Sequence, residues 1–122
     1  MEKPKNTNKY RDLEERTFQF AKHCREFVKF LPRTAGNFED SKQLIRSSGS
    51  VHANFIESVE ALSKKNSLHR MKICRKEAKE SRSWLRLVDI GPDLSLAKER
   101  DMLVNESVEL MRIFGSIVSK KE

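Results

Sequence analysis

Ser50, His52 and Glu57 supply a hydroxyl, an imidazole and a carboxylate, the atom types of a nucleophilic triad. They fall on one stretch of helical pattern, with no sharp strand-to-helix elbow to expose the serine, so they are not read as catalytic. His52 is read instead as an interface or surface residue. His23, His52 and His69 fall on three different expected helices and lack the i, i+4 pairing of a helical zinc site. Cys24 and Cys74 both sit on apolar seams, far apart in sequence, and are read as small buried hydrophobes with free thiols in a reducing compartment. The sequence has neither the Glu-x-x-His pairs of a di-iron bundle nor a Gly-rich phosphate loop. The expectation is a non-enzyme without catalytic residues, metal or cofactor.

Charge gives a stronger signal. From Lys64 to Val88 there are nine basic residues against Glu77 and Glu80, an excess of seven that equals the formal net charge of the whole chain. Lys72, Arg75, Lys76, Lys79, Arg82 and Arg86 recur at intervals that hold them on one helical face, beside the Met71, Ala78, Leu85 seam. A stripe of this kind suits the phosphates of RNA or DNA, with binding driven by counterion release. The competing reading is a solvated helix surface whose lysines and arginines pair locally with Glu77 and Glu80. No aromatic-interleaved recognition signature accompanies the stripe, so recognition by shape or charge is expected rather than base reading.

Helices must position these residues. Tyr10, Leu13, Thr17, Phe20, Cys24, Phe27 and Leu31 step by three and four until Pro32 closes the pattern. A second helix is expected from near Phe38, burying Leu44, Ile45, Ser48, Val51, Phe55, Ile56 and Val59. Ser63 is the expected N-cap of a third helix, with Ser67, Met71, Cys74, Ala78, Ser81, Leu85 and Val88 inward, and Gly91 and Pro92 break the chain after it. Asp93 is the expected N-cap of a fourth, whose Leu96, Leu103, Leu110 and Ile117 lie beside a second stripe of Val104, Val108, Met111 and Val118. The spacing predicts helices over about 8–31, 38–62, 64–88 and 94–118 in a single domain, 1–122. Short connections favour antiparallel neighbours, hence an all-α, up-down-up-down four-helix bundle.

The middle of the second helix is unusually thin. Ser47, Ser48, Gly49, Ser50 and Ala53 would let another backbone approach closely, compensating for about 1 kcal/mol of helix propensity lost at Gly49. Asn54 and Glu57, three residues apart, would bond to each other or to a neighbouring helix and fix register. Ser48, Gly49, Ala53, Asn54 and Glu57 are thus expected to serve packing. The two stripes of the fourth helix, with off-seam Phe18, Phe30 and Trp84, exceed what one core of this size needs, so self-association is expected. The first and fourth helices are the expected subunit contacts. The basic N-terminus runs into acidic residues rather than an apolar run, and no stretch reaches membrane-spanning length, which suggests a cytoplasmic protein with no membrane partner.

The segment QLIRSSGSVHANFIES, with Gln43, Leu44, Arg46, Ser50, Val51, Asn54 and Glu57, followed by Ser63 and ICRKEAKES, resembles the four-helix bundle proteins encoded in intervening sequences of bacterial 23S ribosomal RNA genes. KYRDLEERTFQFA at the start fits the same family, so the resemblance spans most of the chain. Family members typically read Asn-Ile-Ala-Glu-Gly where this chain has Asn54-Phe55-Ile56-Glu57-Ser58, and a Gly-Ser pair where it has Lys76-Glu77. The resemblance implies a bundle that assembles into rings, commonly of five subunits. Accessory variability determinants of diversity-generating retroelements are distantly similar, which implies an alternative role as an interaction scaffold for a partner such as a reverse transcriptase.

Overall fold

A computed structural model describes the chain from Lys5 onward, with side chains from Asp12; the side chain of the seam residue Tyr10 lies outside those described. Four helices follow one another: α1 (Lys5–Val28), α2 (Ala35–Glu60), α3 (Lys64–Leu87) and α4 (Leu94–Lys121), with no strand among the described residues. The starts of α2, α3 and α4 are set by side-chain caps. Thr34 Oγ1 accepts from Asn37 N, Ser63 Oγ from Asn66 N, and the Asp93 carboxylate from Ser95 N and Leu96 N. The Thr34 cap starts α2 three residues before the expected Phe38. Ahead of Pro32, α1 tightens into turns in which Lys29, Phe30 and Leu31 donate to the carbonyls three residues back, ending the α-helix at Val28 rather than near 31. No helix among the described residues is long and apolar enough to cross a membrane.

Cross-helix contacts fix the topology. Between α1 and α2, Thr17 meets His52 and Arg25 meets Gly49. Between α2 and α3, Arg46 meets Glu80, Ser47 meets Ser81 and Asn54 meets Arg70. Between α3 and α4, Arg75 meets Gly115 and Lys72 meets Glu122. Along the length of each pair, as from Ser47–Ser81 to Asn54–Arg70, one number rises as the other falls, so neighbouring helices run antiparallel. Each helix packs on its neighbours in sequence and α1 closes on α4, while the backbones of the diagonal pairs stay apart and meet only through core side chains such as Phe55 and Phe114. This is an up-down-up-down bundle.

The core follows the predicted seams. Phe20, Phe27, Leu44, Val51, Phe55, Met71, Leu85, Leu110 and Phe114 are almost fully buried, with Phe55 and Phe114 tilted against each other at 6.1 Å. Of the second-helix residues expected inside, Ile45 and Ile56 are half-buried and Val59 is exposed, because the row that α2 turns inward runs through Ser47 and Ser58 instead.

That row accounts for part of the thin middle of α2. Ser47, Cys74, Ala78 and Ser81 are all fully buried where α2 meets α3. Ser47 Oγ bonds Ser81 Oγ at 2.7 Å, Ser81 Oγ donates to Glu77 O, and the Cys74 thiol donates to Val51 O at 3.4 Å. Small side chains bring the two helices close, and their polar atoms are satisfied across the seam.

The rest of the thin stretch corrects the packing expectation. Ser48 is buried on the α1 side near Cys24. Gly49 admits no backbone; it lies under the Arg25 guanidinium, whose Nη2 would stand 3.2 Å from an added Cβ. Ala53 and Glu57 are exposed. Asn54 bonds not to Glu57 but to Ser50 on its own helix and to Arg70 of α3.

Candidate nucleic-acid interface

The inward seam of α3, built from Met71, Cys74, Ala78, Leu85 and Val88, turns Lys72, Arg75, Lys76, Lys79 and Arg86 into solvent and leaves Arg82 half-buried. The stem of Arg75 passes within 3.7 Å of where a side chain would begin at Gly115, so that glycine makes room for it on α4. Arg82 Nε is shielded yet has no hydrogen-bond partner among the described residues, and the same holds for Trp84 Nε1.

The carboxylates best placed to neutralise the stripe are held elsewhere. Glu77 is buried, and Arg46 of α2 reaches it at 3.0 Å with one terminal nitrogen and Glu80 at 3.1 Å with the other. Burial opposes charge on Glu77, but hydrogen bonds from Glu80, Ser50 and Arg46 outweigh it and hold the carboxyl below its ordinary range. Glu80 is raised, first by that hydrogen bond to Glu77 and then by burial and the neighbouring charge. Local pairing of these glutamates with stripe residues a turn away is therefore not what the fold adopts. Among the described residues, Arg75, Lys76, Lys79, Arg82 and Arg86 make no ion pair, whereas Lys72 stands 3.8 Å from Glu122. Arg46 is the residue that sequence reasoning missed; the signal was Glu77 itself, a charge flanking the Cys74, Ala78, Ser81 seam and so facing a neighbour.

The other chemistry-bearing residues do not converge. His52 Nδ1 shares a 3.0 Å hydrogen bond with Thr17 Oγ1 and meets Phe18 edge-on, placing it at the α1–α2 contact. Ser50 is engaged by Asn54, and Glu57 points outward. Burial pushes both Cys24 and Cys74 up to about 12, which keeps them as thiols. Among the described residues, no cluster of His, Cys, Asp and Glu could hold a metal ion.

Residues 11–115 match the family described as 23S rRNA-intervening sequence protein, a span from early α1 to late α4. The chain belongs to that family. The fold agrees: this intervening-sequence protein superposes on the crystal structure of a protein of unknown function from the S23 ribosomal protein family of Bacteroides thetaiotaomicron, with a TM-score of 0.73 and 27% identity over 87% of this chain and 97% of that one. No curated protein matches it. The resemblance seen in the QLIRSSGSVHANFIES segment is thus a family relationship that extends over residues 11–115.

Proposed function

We propose that this intervening-sequence protein is a non-enzymatic, cytoplasmic, single-domain protein that assembles with itself and binds RNA or another nucleic acid through the α3 stripe. The observation that carries the reading is the Arg46 clamp. By taking up Glu77 and Glu80, it leaves Arg75, Lys76, Lys79, Arg82 and Arg86 without an ion pair among the described residues, a line of exposed or half-exposed positive charge. Phosphates would displace counterions there without base reading.

Self-association is supported by apolar side chains at one end of the bundle. The α1–α2 and α3–α4 connections meet there, and Phe30, Phe38, Leu87 and Leu94 are largely exposed around them. A ring of five copies would repeat the stripe around one assembly and multiply weak phosphate contacts.

Retention on heparin and on generic RNA, followed across salt concentration, tests the binding. The unmodified protein should be retained and released with a steep salt dependence, and the triple variant Arg75→Glu, Lys79→Glu, Arg86→Glu should not be retained. Equal retention of the two would overturn the reading in favour of a protein scaffold, such as an accessory subunit of a polymerase. Light scattering should give the mass of five 14.2 kDa chains, shifting toward the monomer in Phe30→Glu.

A further inference from the structure

We propose that the cleft between α1 and α4 receives a basic amphipathic helix from a partner protein. It is a groove of about 700 Å³ running beside residues 12–27 of α1. Its floor is apolar, made by Phe20, Phe27, Leu103 and Met102, and Met102 is 63% exposed. A large thioether left in water at the mouth of a groove is an adaptable anchor for an incoming apolar side chain.

The rim supplies the sign of the partner. Asp12, Glu15, Glu26 and Glu99 line it, with Arg16 and His23 the basic residues present. Arg16 is spent inside the cleft, donating to both Glu106 oxygens at 2.7 and 2.8 Å, and Glu26 is shared with Lys29. Asp12, Glu15 and Glu99 have no ion pair among the described residues. A chain whose net charge is +7 thus presents a locally acidic groove on the side of α4 away from the stripe. That field repels nucleic acid and favours lysines and arginines.

The shape supplies the form. The Arg16–Glu106 bridge ties α1 to α4 near one end, and beyond it the groove continues to Phe27, about 16 Å or three helical turns. Apolar anchors at i, i+3 or i+4, and i+7 of a short helix would meet the floor while its cations meet the rim. The basic element of a second copy does not fit this description. Between Lys72 and Arg86 the exposed stripe of α3 carries no large exposed apolar side chain, so it could satisfy the rim but not the floor.

The probe is a fluorescein-labelled 18-residue peptide of leucine and lysine with leucines in helical register, compared by anisotropy with a scrambled peptide of the same composition. The full-length protein should bind the amphipathic peptide saturably and one to one, at least about tenfold tighter than the scrambled one. Glu15→Lys, Glu99→Lys should weaken binding at least about tenfold, and the milder Glu15→Gln, Glu99→Gln and Met102→Ala variants should weaken it several-fold, all with retention on heparin intact. Equal binding of the two peptides, or binding indifferent to these substitutions, would overturn the proposal. So would loss of self-association in the same variants by sedimentation, because a second copy would then fill the cleft. Heparin retention separates this result from the α3 reading, on which the proposal does not depend.

Discussion

Arg46 of α2 holds the buried Glu77 carboxylate of α3 at 3.0 Å and in doing so removes an anion from the foot of a cationic stripe. One ion pair therefore serves both the α2–α3 packing and the surface field. Arg46→Ala should lower stability by about 1–2 kcal/mol, less than a fully buried pair because Arg46 itself is 55% exposed. It should also bring the protein off heparin at lower salt although no stripe residue has changed, since Glu77 and Glu80 would be free to neutralise Lys76 and Lys79. Thermal melts and a heparin gradient check the two halves, and an unchanged elution would mean the clamp does not shape the field.

The same pair sets a pH dependence with two opposed parts. Glu77 is held below its ordinary value of 4.5, so the stability it contributes is in place above that value and is lost as pH falls through its folded pKa. Glu80 is raised above 4.5, so its contribution is present below that value and fades as pH rises through its own folded pKa. Glu77→Gln should therefore destabilise at neutral pH and flatten the acid limb below about 4.5. Glu80→Gln should leave neutral stability unchanged or raised, because a neutral amide can still donate to Glu77 and accept from Arg46. Melting temperatures from pH 3 to 8 for the three proteins distinguish these outcomes.

Thinness matters at Ser47 and not at Gly49. Gly49→Ala places its Cβ against the mobile end of Arg25, which can shift, and gains helix propensity, so it should be neutral or stabilising by up to about 1 kcal/mol. Ser47→Val puts bulk into the fully buried contact with Ser81 and should cost about 1–3 kcal/mol. Urea midpoints of the two variants give the comparison directly.

Asn37 joins the two connections at one end of the bundle. Its amide nitrogen donates to Pro32 O and Asp89 O at 2.9 and 2.8 Å, and its oxygen accepts from Asp89 N at 2.8 Å. Gly91, at φ +65°, carries the chain through the tight turn that follows, where a Cβ would also press on Pro32 at 3.3 Å. Asn37→Ala should cost about 2–3 kcal/mol by orphaning those groups. Hydrogen exchange should rise in both connections and hardly at the middle of α3.

The fold class and the caps at Ser63 and Asp93 were legible because they depend on local periodicity and on side chains bonding to backbone a few residues away. The family was legible for the same reason: its marks are short contiguous segments, KYRDLEERTFQFA on α1, QLIRSSGSVHANFIES on α2 and ICRKEAKES on α3. What a local pattern does not carry is which row of a wide small-residue face turns inward. Ser47, Ser48, Gly49 and Ala53 read alike in sequence, yet the first meets Ser81, the second is buried near Cys24, the third lies under Arg25 and the fourth faces water.

The sequence by itself determined that α3 would be a helix with a cationic face, since charge and spacing are properties of the chain. Only the tertiary structure decided whether that charge stays available. Pairs such as Arg46 with Glu77 and Arg16 with Glu106 join residues 31 and 90 positions apart. Their geometry depends on how helices rotate about their axes when the core closes, and a rotation of one position would exchange a paired glutamate for a free one.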